Sequence, residues 1–433
     1  MSDPNTDGEQ PTLDLPLAEP AARQSRSSSR GRKTTARATQ TETAGEALER
    51  RVGRLEFAEG AFVRLRTPVR VNADAGRDIL TDLDVVAIDV DARLRTTRSI
   101  LECKSGHGQS GEPDRLLWLA GLRAFVGNPR AVLVRNTVSS RGRLIAQKLE
   151  IETMDLTRMV ERESAIAWMP DRFAHVGGAE CALAERRTDE LLRNISEISN
   201  EAVAFLRGDF IFAPRRVLGV LTDLGAALQK TPLPAPVGIV LGGHALIALI
   251  YSAITDSESL EFLSRPALES LLERSITVGS ADSKILEVLE QADAVMSLVV
   301  DRIHGRYEAA GVSRDDMQIP RLRDIVSEPP RWIPRYVDFV EALRANAQIG
   351  RELLQTAELA CFEALVGGHA HEFQSFDHLF TVEHRQLLRL AMRLLEDLAS
   401  EQMTQALNGL KSIDFERIPP VVPDRRSAPQ RTT

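Results

Sequence analysis

Two short runs rich in β-branched and aliphatic residues, Ile79–Val90 and Thr96–Lys104, interrupt a chain whose apolar positions elsewhere recur mostly at helical spacing. The first concentrates Val85, Val86 and Ile88, and the second carries Ser99-Ile100-Leu101 towards its end, so both predict strands joined by a polar connection. Downstream the pattern predicts a helix over residues 113–126, a strand over 130–137, a helix over 139–149 and a short strand over 151–156. Strands alternating with helices predict an α/β unit.

After about residue 160 the rhythm becomes helical. Residues 179–206, 217–228, 267–272, 285–303, 336–366 and 384–410 carry apolar side chains near the 3.6-residue period, with breaks at Pro232, Pro234, Pro320, Pro329-Pro330 and Gly367-Gly368. Residues 235–254 form an uncharged run of spanning length, but Pro236, Gly238, Gly242, Gly243 and His244 divide it. It reads as a buried helix at the centre of a helical domain, and a membrane span is the less favoured expectation.

Composition adds a compartment and a partner. Three widely separated cysteines, Cys103, Cys181 and Cys361, form no CxxC pair, and residues 1–20 are acidic and proline-containing without an apolar core. Both fit a cytoplasmic protein rather than a disulfide-stapled secreted one. The formal net charge is −8, yet residues 21–43 carry six basic side chains against one acidic. This arm has no large apolar side chain, so it is expected to be disordered, serving as a phosphate-contacting tether or a solubilising leader. The proline-rich end, residues 416–433, is expected to be disordered as well.

The chemistry gathers at the end of the second strand. Side chains alternate across a strand, so Glu102 and Lys104 share a face while Leu101 and Cys103 take the other, and the neighbouring strand supplies Asp84. Two carboxylates can hold Mg²⁺ beside water and a phosphate oxygen, while a lysine orients the water or offsets charge on phosphorus. Asp84 followed by Glu102-Cys103-Lys104 resembles the PD-(D/E)xK restriction-endonuclease-like nuclease superfamily, nearest its Mrr-type branch. Residues 45–52 with Leu55 are similar to that family's first helix, and Glu49 matches its additional acidic position. Leu83 stands where that family often has proline, and the match covers residues 44–160.

The resemblance implies a restriction-endonuclease-like α/β core, a central mixed sheet flanked by helices, followed by a mostly α-helical domain over residues 161–415. It further implies a Mg²⁺-dependent nuclease, Mn²⁺ substituting. Asp84 and Glu102 are then metal ligands, Lys104 positions water and Glu49 supports the metal. The substrate is nucleic acid, DNA ahead of RNA, in restriction, repair or defence. The helical domain would regulate, oligomerise or bind a partner. The alternative is an inactive nuclease fold acting as a nucleic-acid-binding or assembly module.

Asp82, Asp89 and Asp91 compete with Asp84, which is preferred because Val85-Val86-Ala87-Ile88 follows it as a buried run. His107 lies just past Lys104, in reach of a phosphate or simply within a glycine-rich loop. Gln109 is the nearest glutamine after that lysine, at an uncertain spacing. His369, His371, His378 and His384 match no zinc spacing and read as surface or capping histidines. The chain contains no G-x-x-x-x-G-K-[ST], G-x-S-x-G or H-E-x-x-H motif.

Overall fold

A computed structural model describes residues 42–417 apart from 72–78, 107–110, 128, 167–168, 230, 260–261, 278–282 and 312–329. Residues 1–41, with all but the end of the basic arm, residues 418–433 of the C-terminal tail, His107 and Gln109 therefore lie outside the described residues.

Helix α1, Ala44–Ala58, begins at a capping box: Thr43 N–H donates to Glu46 Oε2 at 2.8 Å, and Glu46 N–H donates to Thr43 Oγ1 at 3.2 Å. Strands β1 (Phe62–Arg70), β2 (Ile79–Val90) and β3 (Thr96–Lys104) follow. Next come α2 (Glu112–Phe125), β4 (Arg130–Arg135), α3 (Ser140–Lys148), β5 (Glu152–Asp155) and α4 (Leu156–Ser164). The sheet runs in the order β1-β2-β3-β4-β5. Its first three strands are antiparallel, and β4 and β5 continue parallel to β3.

Val85, Val86 and Ala87 are completely buried because both faces of the sheet are covered. The register makes Val63 and Leu65 share a face with Val85, Leu101 and Cys103. Helix α1 lies on that face: a Cβ on Gly53 would stand 2.9 Å from Leu65 Cδ2, so glycine permits the close approach.

Strand β1 and helix α4 were not legible in the hydrophobic pattern. In Phe62–Arg70 the apolar residues alternate with Arg64, Arg66 and Arg70 and the run contains Pro68, a combination that belongs on an edge strand. Helix α4 follows β5 directly, because Asp155 ends the strand and caps the helix by accepting from Arg158 N–H at 3.0 Å.

The remainder is largely helical. The expected run 179–206 is two helices, α5 (Ala179–Leu192) and α6 (Asn200–Arg207), and Ser199 caps the second by accepting from Ala202 N–H at 3.0 Å. Between them lie Asn194, Ser196 and Ser199, side chains that compete with helical backbone bonds. Helices α7 (Val217–Leu228) and α8 (Ala235–Ser259) come next. Helix α8 is long and apolar enough to cross a membrane, yet 94% of its most apolar window is buried inside the protein. The expected run 336–366 divides into Ile333–Ala345, a single turn at Ala347–Gly350, and Leu353–Leu359, the last passing into a π-helical turn, Ala360–Ala364.

Sheet and helices share one hydrophobic core from Leu48 to Phe415. Buried polar contacts bind them together. Gln355 Nε2 donates to the carbonyls of Phe57 at 2.7 Å and Ala61 at 3.0 Å, Arg64 pairs with Glu358 at 2.6 Å, and Arg70 pairs with Asp209 at 2.9 Å.

Candidate active site

Strand β2 pairs with β1 from Ile79 to Ile88 but with β3 only from Val85 onward, so the two inner strands part at Asp84. By register Asp84 stands across from Glu102, one step beyond the last pair, Val85 with Leu101. In place of a ladder bond, Cys103 N–H donates to Asp84 Oδ2 at 2.7 Å. Lys104 Nζ lies 2.7 Å from Glu102 Oε1 and 3.6 Å from Asp84 Oδ2, so one ammonium serves both carboxylates. The three residues expected from the sequence are thus together, where two strands separate.

Glu102 is 2% exposed, and a carboxylate so buried needs charged partners. Besides Lys104 it has Arg115 of α2, whose Nε donates to Glu102 Oε1 at 2.7 Å and whose Nη2 also reaches that oxygen. The Arg115 guanidinium rests 4.0 Å from the Trp118 ring centroid, which holds it in this orientation. Behind it, buried Glu112 accepts from Ser139 Oγ at 2.7 Å and ties the start of α2 to the start of α3. Asn136 Nδ2 donates to Ser105 O at 2.8 Å and fixes the chain as it leaves Lys104.

The competing acids lie elsewhere. Asp82 is exposed. Asp91 closes its own turn, accepting from Arg93 N–H at 2.8 Å and Arg95 N–H at 3.0 Å. Burial raises the Asp89 pKa, and the nearest charges acting on it, Arg130, Glu59 and Arg162, belong to the other end of the sheet.

Glu49 of α1 is held by Arg66, whose Nε donates to Glu49 Oε2 at 2.9 Å, and it makes no hydrogen bond to Asp84, Glu102 or Lys104 among the described residues. Its charge nevertheless reaches the strand end. Burial pushes the Cys103 thiol well up, and the carboxylates of Asp84, Glu49 and Glu102 push it further. Arg66 stands across from Asp84, between the pairs Leu65–Val85 and Thr67–Leu83, with φ of 53°. Such a backbone is costly for arginine and marks a site where the surrounding structure imposes it.

The C-terminal histidines form no common site. His384 is buried with Nδ1 3.0 Å from Thr381 Oγ1 and Nε2 3.6 Å from Glu352 Oε2, while His369 is exposed beside Glu372.

A different group was not anticipated. His175, Glu185 of α5 and His244 of α8 converge, with His244 Nε2 2.5 Å and His175 Nε2 3.3 Å from Glu185 Oε1. His175 Nδ1 lies 2.6 Å from Glu358 Oε1, and Glu358 Oε2 lies 2.6 Å from Arg64 Nη1. Burial alone would raise the Glu358 pKa, but Arg64 and His175 outweigh it and hold the carboxyl down at about 2. Burial pushes His244 down to about 4. No local spacing joins residues 64, 175, 185, 244 and 358. One imidazole inside an otherwise apolar helix, His244, was the sole visible sign.

Fold and site together define a sheet-based α/β protein with a carboxylate–lysine cluster at a strand divergence. No protein-family model, curated protein or solved structure matches the chain.

Proposed function

We propose that the chain is a metal-dependent nuclease of the PD-(D/E)xK type, hydrolysing phosphodiester bonds in nucleic acid, with DNA favoured over RNA. The observation that carries this reading is the approach of Lys104 to both Asp84 and Glu102 where β2 and β3 part. The element order supports it as well: helix, antiparallel strands ending in Glu102-Cys103-Lys104, helix, parallel strand, helix, short strand.

The residues fit a hard divalent cation. Asp84 and Glu102 offer only oxygen donors, as Mg²⁺ and Mn²⁺ prefer, and their charges already converge on one cationic group. Bound there, the metal supplies Lewis acidity that lowers the pKa of a water molecule. The chain's own residues do the rest. Glu102 is held rigidly by Arg115, Asp84 is fixed by the Cys103 amide, and Lys104, 41% exposed at its side chain, has the freedom to orient water or meet a phosphate oxygen. Glu49 sets the field at the strand end from α1 rather than by contact.

A second reading, a nuclease-like fold that binds nucleic acid without cutting it, draws on one observation. Glu102 Oε1 is taken up by both Lys104 and Arg115. Cleavage of labelled duplex DNA, single-stranded DNA and RNA, with Mg²⁺, Mn²⁺ or EDTA, separates the two. The nuclease reading expects metal-dependent cutting that is lost in Glu102→Gln and Lys104→Met. Metal-independent binding with no cutting in any arm supports the second.

A further inference from the structure

We propose that His175 Nε2, His244 Nε2 and Glu185 Oε1 bind one first-row divalent cation of the Zn²⁺ class, in a site distinct from Asp84 and Glu102. The three donor atoms lie within 4.8 Å of one another, the only such His, Cys or carboxylate group among the described residues. A tetrahedral metal with bonds of about 2.0–2.1 Å sets its donor atoms roughly 3.3 Å apart. His175 and Glu185 already stand at 3.3 Å, and His244, at 2.5 Å from Glu185, needs to open by under ~1 Å.

The surroundings are those of a ligand set rather than of an ordinary ion pair. Arg207 Nη2 holds the other oxygen of Glu185, Oε2, at 2.7 Å, leaving Oε1 as the donor facing both imidazoles. Glu358 takes the far nitrogen of His175, and Arg64 fixes Glu358, so a carboxylate orients the histidine from behind as metal-bound histidines require. Phe362 packs against both rings, with centroids 4.4 Å from His175 and 4.5 Å from His244. His244 is 2% exposed, so little solvent competes for its ring.

The backbone is shaped for the purpose. Ala174, with φ of 38°, donates its N–H to Glu363 Oε2 at 2.6 Å, and the His175 N–H donates to Glu358 Oε1 at 3.1 Å. Glu363 lies in the π-helical turn and Glu358 just before it, so an irregular helix and a strained loop jointly aim His175.

Three protein donors leave a fourth position. The donors line a cavity of about 650 Å³ along the edge of β1, beside Arg66, Arg70 and Arg207, so water or an anion completes the shell from that side. Imidazole donors select a borderline cation, whereas the all-oxygen set at Asp84 and Glu102 selects Mg²⁺ or Mn²⁺. Cys181 is not among the donor atoms that converge within 4.8 Å of one another, so the set is imidazole and carboxylate without sulfur.

The test uses the full chain, stripped with chelator and titrated with Co²⁺, followed by its visible d–d absorption and by displacement with Zn²⁺. The expected result is one equivalent per chain, displaced by Zn²⁺ and untouched by Mg²⁺. The band should be lost in His244→Gln and Glu185→Gln and retained in Asp84→Asn. X-ray absorption of the Zn²⁺-loaded wild type needs no variant to fold, and it should report two imidazoles and oxygen with no sulfur. Failure of folded wild type to take up a stoichiometric cation, a band unchanged in both variants, or a sulfur neighbour would each overturn the proposal.

Discussion

The carboxylate–lysine cluster and the histidine–glutamate centre are built on opposite principles. Asp84, Glu102 and Lys104 come from two adjacent strands, and the Lys104 side chain remains 41% exposed at a strand end. The second centre draws on β1, the loop before α5, α5, α8 and the helix bearing Glu358, and its main ion pair, Arg64 with Glu358, is 4% and 1% exposed. By register Arg64 pairs with Val86, which pairs with Ile100, so Arg64 shares a sheet face with Glu102. The first centre presents Lys104 to solvent and substrate, whereas the second is anchored on the buried Arg64–Glu358 pair, which couples the sheet to the helices. Exposure at one and burial at the other predict different failures on mutation.

The largest expected effect is on activity at the strand ends. Asp84→Asn or Glu102→Gln should lower metal-dependent cleavage by roughly 10²–10³-fold, the loss typical when one charge-stabilising group is removed, with little change in unfolding midpoint for Asp84→Asn and a lowered one for buried Glu102→Gln. Single-turnover cleavage beside a denaturant melt checks both halves, and a folded variant that still cuts at the wild-type rate breaks the contrast.

Next is the buried pair. Arg64→Met strips the permanent cation from buried Glu358, leaving it only His175, and should cost about 3–5 kcal/mol, read from urea unfolding. The double variant Arg64→Met/Glu358→Gln should recover part of that loss, because the uncompensated charge is gone. Equal destabilisation in single and double variants would show that the pair is not what couples sheet to helices.

Arg115→Met sharpens the comparison from the other side. Arg115 is 34% exposed and Glu102 keeps Lys104, so the cost should fall below that of Arg64→Met. The same denaturant series measures both.

The smallest effect concerns a buried carboxyl paired to a hydroxyl rather than to a guanidinium. Asp256 accepts from Tyr336 Oη at 2.6 Å, and burial raises its pKa above the usual carboxylate value. A raised acid contributes stability below its unfolded pKa of about 3.9 and loses it as pH rises through the folded value. Asp256→Asn should therefore gain on wild type as pH climbs from about 4 towards neutrality. A constant difference across that range would contradict the assignment.

The same contrast governs what the sequence disclosed. Asp84, Glu102 and Lys104 were legible because strand alternation and one hairpin fix their relation locally. The buried helix around Ala245–Ile250 was legible from its apolar run. Strand β1 escaped notice because one of its arginines is interior: Arg64 is 4% exposed, a burial that Glu358, 294 residues away, makes tolerable. The His175–Glu185–His244 group was illegible for the same reason, since tertiary packing alone relates its members. The engagement of Glu49 by Arg66 depends on a positive φ that no residue pattern around Arg66 announces.

The most direct test of the account is cleavage of labelled duplex DNA by purified wild type and Lys104→Met, with Mg²⁺ and with EDTA. The account predicts cutting by wild type in Mg²⁺ alone, and none by a Lys104→Met protein that melts like wild type. Cutting that survives EDTA, or that Lys104→Met retains in full, would contradict it.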